Sequence, residues 1–345
     1  MDSFKRISKD QVKIDNTSPM MVNSKYLLEK LISSCNGKYN PIRSFSEEEL
    51  KTATDNFDAG KVITRAASYE LYKGILEDYS VSVMKFRDFP SRLDAYEYCF
   101  NNIVFASQMK HKNLFKLIGC CLETEILLLV FESVEYGTLS DHIYGPRQPH
   151  FVPLLLTPRL KIAMEMANAL AYLHVGFCRP IVFRSINPTN ILFQEQTIVK
   201  LSDFSLSEYI PEGETYIKDT RVVGTMGFFA PEYISVGVCS EKCDVFAFGV
   251  LLLVLLTGQK TFDSSRCENG DDSWLLQHVK NCIGQNDRFI EIIDPAIVLD
   301  GLNPGKEDLL RAFTELALKC ASTLPEERPT MVEAAKELRQ MYRNG

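Results

Sequence analysis

The sequence predicts an α+β fold of two lobes, in which a small strand-rich lobe precedes a larger helical one. From Val62 to about Glu132, short runs of β-branched and aromatic residues alternate with turns, a pattern typical of strands. From Leu139 onward, apolar residues recur at helical spacing. Strands followed by helices are typical of an α+β domain. We divide the chain into a flexible N-terminus with an extra amphipathic helix, a first lobe and a second lobe, at residues 1–43, 44–136 and 137–345.

The composition and charge narrow the class of protein. A net charge of −7 leaves no basic excess with which to bind a nucleic-acid backbone. The ten cysteines follow no secretory leader and show no zinc-like spacing, so we expect free thiols in a reducing compartment. The longest apolar run, Val245–Gly258, is shorter than the roughly 20 residues of a membrane-spanning helix. We therefore predict a cytoplasmic protein without a membrane span, with that run as a buried core helix.

An amphipathic helix is predicted before the first lobe. In "NSKYLLEKLISSCNGK", Leu27, Leu28, Leu31 and Ile32 recur at helical spacing, and Ser24 is available as the N-cap. An apolar stripe outside a domain must be covered by something. Two interpretations stay open: the stripe folds back onto the main domain, or it faces a partner protein.

Two further helix starts carry capping signals. Ser46 followed by Glu49 predicts a capping box at the start of a short helix. Thr157 followed by Pro158 predicts an N-cap and the first position of a long helix in the second lobe.

The stretch "VFRSINPTNIL", Val182 to Leu192, resembles the catalytic loop of protein kinases, which reads H-R-D-x-x-x-x-N. Other segments follow in the order and at the spacing of that family: "FSEEELKTATDNF", "GCCLE", "LSDFS", "GTMGFFAPEY", "KCDVFAFGV" and "EERPTM". Together they cover about residues 44 to 342. The resemblance implies the two-lobed protein-kinase fold. It also implies that Glu232 and Arg328 form the ion pair that ties the activation segment to the second lobe, and that Asp244 braces the catalytic loop.

The first-lobe positions that bind nucleotide in that family depart from its pattern. A kinase glycine-rich loop lets backbone N–H groups approach phosphate closely. Thr64, Ala66 and Tyr69 stand where three glycines belong. Lys85 in "VMKF" matches the lysine that pairs with the phosphates, but the position of its helix glutamate is matched by Asn102. A neutral amide cannot orient a lysine as a carboxylate does.

The catalytic loop itself lacks the groups that carry phosphoryl transfer. By the same resemblance, Phe183 replaces the supporting histidine, Ser185 the general base and Asn187 the lysine that neutralises the transferred phosphate. A serine hydroxyl has no useful basicity near neutral pH, and losing a positioned base costs about 10²–10⁴ in rate. Asn190 and Asp203 match the two metal-holding positions. We therefore predict a pseudokinase that keeps only vestiges of a nucleotide site, at Lys85, Asn190 and Asp203. We expect no cofactor and no metal, and weak binding of ATP and magnesium stays open.

This pattern of loss, together with the N-terminal helix before "IRSFS", resembles the ZED-related or resistance-related group of plant receptor-like cytoplasmic kinases. The resemblance implies an adaptor in plant innate immunity. Members of the group bind the leucine-rich repeats of a coiled-coil nucleotide-binding (NLR) immune receptor. They also recruit a second receptor-like cytoplasmic kinase that a bacterial effector has modified. We expect a cytoplasmic protein, and association with membranes through its partners stays open.

Two surfaces are candidates for those partners. The apolar stripe of the N-terminal helix is a candidate anchor for the receptor. The activation segment carries Lys218, Thr220 and Arg221, a basic cluster suited to a partner that bears an added phosphate diester, with a solvated loop as the alternative. Arg184, which grips a phosphorylated residue in active kinases, is expected to hold this segment in a shape that a partner reads. Two other functions stay open: a nucleotide-binding switch without phosphate transfer, and a Ser/Thr kinase of low activity.

Overall fold

The computed structural model describes residues 18–35, 41–87, 92–145, 153–218, 221–268, 272–286, 288–299 and 301–344. Within these ranges the chain forms a strand-rich first lobe, a mainly helical second lobe and a helix N-terminal to both. The predicted α+β, two-lobed architecture with an extra N-terminal helix is confirmed.

The first lobe is built around a single twisted sheet with helices on both sides. Its strands are β1 (Arg43–Ser44), β2 (Val62–Arg65), β3 (Tyr69–Leu76), β4 (Tyr79–Phe86), β5 (Leu117–Cys121) and β6 (Leu128–Glu132). The helices are α1 (Pro19–Cys35), α2 (Glu47–Ala53) and α3 (Arg92–Ala106), with a 3-10 turn at Ala59–Lys61. The strand order is β1-β5-β6-β4-β3-β2, in which β1 runs parallel to β5 and the other neighbours are antiparallel.

Side chains of the central strands alternate between two apolar layers, because successive residues of a strand point to opposite faces. In β4, Val81 and Val83 belong to an outer layer with Leu50 of α2. Met84 and Phe86 belong to the inner layer, which extends to α3 and the second lobe. The position of a residue along β4 therefore decides whether its side chain can reach the cleft between the lobes.

The second lobe is mainly helical, with short strand pairs near the cleft. Its helices are α4 (Leu139–Tyr144), α5 (Leu156–Val175), α6 (Pro231–Val236), α7 (Glu241–Thr257), α8 (Ser265–Glu268), α9 (Leu275–Asn286), α10 (Pro304–Cys320) and α11 (Met331–Asn344). The antiparallel strand pairs are β7 (Ile181–Val182) with β10 (Glu208–Tyr209), β8 (Ile191–Glu195) with β9 (Ile198–Leu201), and β11 (Ile217–Lys218) with β12 (Val238–Cys239). Short 3-10 turns lie at Pro188–Asn190, Ile290–Ile292, Pro295–Val298 and Pro325–Glu327.

Helix α7 is the core of the second lobe. Its residues from Cys243 to Thr257 are all buried, as the long apolar run predicts. Gly249 lets α10 approach closely, since a Cβ there would lie 2.7 Å from the backbone nitrogen of Ala321 and 2.8 Å from the carbonyl oxygen of Ala317. No helix in the described ranges has the length and the apolar character needed to cross a membrane.

The helix starts test the capping predictions. The capping box of Ser46 and Glu49 at α2 is confirmed. The predicted start at Thr157 is wrong, because α5 begins at Leu156 and Pro158 occupies its third position. Proline is tolerated there because the first four N–H groups of a helix lack intrahelical partners. Ser24 is not an N-cap either: it lies inside α1 and donates to the carbonyl oxygen of Met20 at 2.6 Å.

Candidate functional site

Strand β4 places Lys85 on the outer face of the sheet, away from the cleft. Lys85 shares its face with Val81 and Val83 and lies directly opposite Leu128 of β6. Its Nζ atom lies 4.4 Å from the centroid of the Phe57 ring. This position corrects the assignment of Lys85 as the phosphate-pairing lysine, because a shift of one residue along a strand moves a side chain to the opposite face.

The inward position next to it is Met84, which sequence reasoning missed. Met84 is fully buried in the inner layer together with Tyr69 and Phe86. Its thioether carries no charge, so it offers nothing to a phosphate. The two-residue alternation of "VSVMK" contains the signal that identifies it, since Val81 and Val83 already define the outer face.

Tyr69 fills the inner side of the first-lobe hairpin. It points inward like Leu71, is fully buried, and its ring meets that of Phe86 edge-on at 6.3 Å between centroids. Burial raises the pKa of its phenol, and the charge of Asp203 raises it further. The hydroxyl lies beside Ser202 but forms no well-shaped hydrogen bond with a described residue. A bulky ring therefore lies in the cleft next to one of the expected metal-holding positions.

The loop between β2 and β3 is closed over this ring. The Ala66 N–H donates to the carbonyl oxygen of Tyr69 at 2.9 Å, and the Arg87 N–H donates to that of Ser68 at 3.0 Å. Thr64 lies in β2 opposite Leu71. In a glycine-rich loop the N–H groups are available to phosphate, whereas the N–H of Ala66 is used inside the hairpin.

Helix α3 brings Asn102 onto the segment that follows β9. Its Oδ1 atom accepts from the N–H of Phe204 at 2.8 Å, and its Nδ2 atom donates to the carbonyl oxygen of Tyr98 at 3.0 Å. Nδ2 also lies 3.5 Å from Oδ1 of Asp203, which adopts a left-handed backbone with φ of 68°. Burial raises the pKa of the Asp203 carboxyl, although hydrogen bonds from Ser205 and Asn102 partly offset this. The amide holds the segment directly and orients no lysine.

In the loop that resembles a catalytic loop, the polar side chains bond with one another. Asn190 Nδ2 donates to Oγ and to the carbonyl oxygen of Ser185 at 2.7 and 2.9 Å. Asn187 Oδ1 accepts from the N–H groups of Thr189 and Asn190 at 2.9 and 3.2 Å. Asn187 Nδ2 reaches the activation segment at Oγ1 of Thr225, at 3.0 Å. Asn187 thus joins the loop to the activation segment, and none of the three loop side chains Ser185, Asn187 and Asn190 is a general base.

Asp244 of α7 lies beneath this loop. Its carboxylate accepts from the backbone N–H groups of Phe183 and Arg184 at 2.7 and 2.9 Å, and Nε2 of His174 lies 3.0 Å away. Arg184 adopts a left-handed backbone with φ of 62°. The Phe183 ring meets Phe204 edge-on at 5.5 Å, so an aromatic contact stands where a histidine is expected.

The side chain of Arg184 is engaged within the chain. Its Nη2 atom lies 2.7 Å from a carboxylate oxygen of Glu208, and its Nε atom donates to the carbonyl oxygen of Leu206 at 2.7 Å. Arg184 therefore holds the activation segment through a carboxylate and a backbone carbonyl of that segment.

Glu232 and Arg328 connect the end of the activation segment to the second lobe. Two hydrogen bonds of 2.6 and 2.8 Å join the guanidinium to the carboxylate, and the Arg328 side chain is fully buried. Burial by itself raises the pKa of Glu232, but the hydrogen bonds and charge of Arg328 hold it below its ordinary value. Bidentate geometry of this kind is among the stronger charged contacts in proteins.

Helix α1 divides the predicted apolar stripe between two faces. Leu27 and Leu31 are buried in the core that α3 shares, so the prediction that they bind a partner is wrong. Leu28 and Ile32 lie about 100° around the helix on a solvent-facing side, with 54% and 56% of their surfaces exposed, and Met21 lies on the same exposed face. The helix both folds back onto the domain and leaves apolar side chains uncovered.

The basic cluster of the activation segment is only partly described. Lys218 is exposed at the end of β11, which pairs with β12, and Arg221 is exposed three residues later. Thr220 lies outside the described residues.

The cleft differs from a kinase nucleotide site at two positions. Tyr69 occupies the space beside Asp203, and Met84 offers no charge to a phosphate. Neither side chain carries a charge that could pair with a phosphate.

The comparisons with known proteins agree with this geometry. The family model of the protein kinase domain matches residues 70–339. Non-functional pseudokinase ZED1 of Arabidopsis thaliana is 40% identical over 328 residues, covering 92% of this chain and 94% of that protein. Non-functional pseudokinase ZRK2 of the same plant is 37% identical over 320 residues, covering 92% and 88%. The chain belongs to the ZED-related group of the protein kinase family.

Members of the ZED-related group do not all carry the same description. Serine/threonine-protein kinase ZRK1 of Arabidopsis thaliana is 34% identical over 324 residues, covering 92% of this chain and 91% of that protein. Within the protein kinase family, this chain keeps the contacts of Asp244 and of Glu232 with Arg328. It differs from the family pattern inside the cleft, at Tyr69 and Met84.

Proposed function

We propose that this chain is a catalytically inactive pseudokinase that acts as an adaptor in plant innate immunity. It bridges the leucine-rich-repeat region of a coiled-coil NLR receptor and an effector-modified receptor-like cytoplasmic kinase. The observation that carries the proposal is the cleft filled by Tyr69 inside an otherwise maintained kinase scaffold. The description of ZED1 and ZRK2 as non-functional pseudokinases supports the inactivity.

Nucleotide binding is tested by thermal unfolding of the full-length chain with and without millimolar Mg²⁺–ATP. A ligand at a hundredfold its dissociation constant stabilises the native state by about 2.7 kcal/mol. We expect no shift of the melting temperature, because Tyr69 and Met84 offer neither space nor charge. A clear shift that Asp203→Ala abolishes would contradict a nucleotide-free protein.

The receptor contact is assigned to the exposed face of α1. Met21, Leu28 and Ile32 are large apolar side chains in water, and covering them favours association. We expect the full-length chain to co-elute with the leucine-rich-repeat region without nucleotide. Leu28→Glu combined with Ile32→Glu should abolish co-elution, whereas Ser33→Glu, an added charge at another exposed position of the same helix, should not. Co-elution that survives the double variant would move the receptor contact away from α1.

The modified kinase is assigned to the activation segment, where Lys218 and Arg221 are exposed. Alanine at Lys218, Thr220 and Arg221 together should prevent recruitment of a kinase that carries a phosphate diester. Lys260→Ala removes one exposed charge elsewhere on the second lobe and is the control. Unchanged recruitment by the triple variant would assign the modified kinase to a different surface.

A second candidate function is a Ser/Thr kinase of low activity or a nucleotide-binding switch. It is favoured by the description of ZRK1 as a serine/threonine-protein kinase. Phosphorylation of a generic substrate that disappears on Asp203→Ala would support the kinase. Nucleotide binding without transfer would support the switch.

A further inference from the structure

The outer face of the first lobe contains a groove that the proposed function does not use. The groove has a volume of about 430 Å³ and lies between α2, the turn that follows α2, and the loop that joins β5 to β6. Phe57, Ile126 and Leu128 provide apolar surface, and Lys85 lines the groove beside them. We call this surface the outer groove. It is separate from the exposed face of α1 and from the activation segment.

The charge of Lys85 is available in the outer groove. Among the described residues, its contact is with the Phe57 ring at 4.4 Å, and no carboxylate lies within ion-pair distance. Lys51, the other lysine of the groove, is paired with Glu47 at 2.7 Å. Glu70 lies opposite Lys85 on β3 but pairs with two arginines instead. An ammonium over an aromatic ring in a concave surface is well placed to receive an anionic group.

One wall of the outer groove is a strained turn. Asp55, Asn56 and Phe57 adopt left-handed backbones with φ of 48°, 55° and 58°. Left-handed backbones are unfavourable for residues with a Cβ atom, and they concentrate at binding sites where the surroundings hold them. Thr54 holds this turn: its Oγ1 atom accepts from the Phe57 N–H at 3.1 Å and donates to the carbonyl oxygen of Leu50 at 2.7 Å. The strained turn presents Asn56 and Phe57 to the groove.

The opposite wall is fixed by side chains of α1 and α3. Asn23 Nδ2 donates to the carbonyl oxygens of Leu122 and Thr124 at 2.9 and 3.1 Å. The hydroxyl of Tyr96 donates to the carbonyl oxygen of Glu125 at 2.6 Å. With both walls held, a ligand does not have to order the groove when it binds, which reduces the entropic cost of binding.

We propose that the outer groove binds an extended segment of a partner protein in which an acidic side chain lies next to an aliphatic one. The carboxylate pairs with Lys85, and the aliphatic side chain covers Phe57 and Leu128. Glu125 lines the groove as well, so the acidic side chain points toward Lys85 and away from Glu125. The inference does not depend on the adaptor function, because neither α1 nor the activation segment lines the groove.

The test is a selection of random twelve-residue peptides on the full-length chain, followed by measurement of the dissociation constant of each enriched peptide. We expect enriched peptides to carry Asp or Glu beside an aliphatic residue. Lys85→Glu should weaken their binding at least about tenfold, since a charge pair is replaced by repulsion. Glu125→Gln should tighten it. Lys73→Glu reverses an exposed charge on the same sheet, outside the groove. It should leave the dissociation constant of the peptides within about twofold of the wild-type value.

Three kinds of result would overturn the proposal. The first is enrichment without acidic residues, or binding that Lys85→Glu leaves unchanged. The second is displacement of a labelled peptide by millimolar inorganic phosphate as readily as by the same peptide without the label. This outcome would indicate a general anion site. Replacing the acidic residue of the peptide by its amide should remove most of the affinity, and an unchanged affinity would also count against the proposal.

Discussion

The side-chain oxygen of Asn102 accepts a hydrogen bond from the backbone N–H of Phe204 at 2.8 Å. Next to it, Asn101 donates to the carbonyl oxygen of Ser205 at 2.9 Å. Helix α3 and the start of the activation segment are therefore held together by neutral amides. In an active kinase these elements are connected through a charged lysine–glutamate pair and the bound nucleotide. Here the connection needs neither.

Replacing Asn102 should reveal the cost of breaking this connection. Asn102→Ala leaves the buried N–H of Phe204 without its acceptor, so we expect a loss of about 1–3 kcal/mol in the free energy of unfolding. Urea denaturation measures it. Asn168→Ala is the matched control. The Asn168 amide donates to Met164 of its own helix and has a long, exposed contact of 3.5 Å with Arg339, and the substitution gains the same helix propensity. Equal losses in the two variants would show that Asn102 has no special structural role.

Substitutions at Tyr69 separate the contribution of its ring to the free energy of unfolding from that of its hydroxyl. Tyr69→Phe removes a buried hydroxyl that lacks a well-formed hydrogen bond, so we expect the free energy of unfolding to stay level or rise by up to about 1 kcal/mol. Tyr69→Ala removes the ring from the core and should cost about 3–5 kcal/mol. Tyr79→Phe removes a hydroxyl from a ring that is largely exposed and is the control. A clear loss in Tyr69→Phe would show that the hydroxyl is bonded in solution.

The buried carboxyl of Asp203 predicts a pH dependence of stability. Its pKa is raised by burial, so the neutral form favours folding; this contribution is present at low pH and is lost as the pH rises through the folded-state pKa. The side chain of the Asp203→Asn variant is neutral at every pH of the measurement. We expect the variant to be more stable than the wild type at pH 7, with a difference that shrinks as the pH is lowered through the folded-state pKa toward the ordinary value of a carboxyl.

Urea midpoints at pH 7, 6 and 5 measure this difference. Asp308→Asn, at an exposed position, controls for the change in net charge and should show no such trend. A wild type that is more stable than Asp203→Asn at pH 7 would mean that Asp203 is ionised and well solvated, or holds a cation.

Close packing of α7 against α10 is tested at Gly249. Gly249→Ala places a methyl group within 2.8 Å of the backbone of residues 317 and 321, so we expect a loss of about 1–3 kcal/mol. Gly284 lies in α9 with nothing within 4 Å of an added Cβ. Gly284→Ala should therefore gain about 0.5–1 kcal/mol from helix propensity. Thermal or urea unfolding compares the two, and a neutral Gly249→Ala would show that α10 moves aside easily.

Lys85 shows where reasoning from motifs needs the geometry of the strand. The "VMKF" stretch contains a lysine within one residue of the position of the phosphate-pairing lysine in kinases. Matching the motif alone therefore assigns that role to Lys85. The strand alternates strictly, however, and a lysine in register with Val81 and Val83 must point outward. The alternation was available in the sequence, but it becomes decisive only when the outer layer is known to be covered by α2.

The N-terminal helix shows a second limit. Its spacing predicts a helix with an apolar stripe, and the stripe is present in α1. Leu27 and Leu28 are adjacent in the chain and point about 100° apart, so that one lies in the core and the other in water. Which face is buried depends on α3 and on the loop after β5, which lie far away along the chain.

The sequence by itself predicted the two-lobed α+β fold, because local periodicity reveals strands and helices, and its resemblance to protein kinases implied that Ser185 replaces the catalytic base. The tertiary structure alone decided that Tyr69 is buried beside Asp203 and that Asn102 holds the backbone of Phe204. The last two partners are separated by 102 residues. Burial and hydrogen bonding across such a separation follow from how the lobes pack, and no local pattern encodes them.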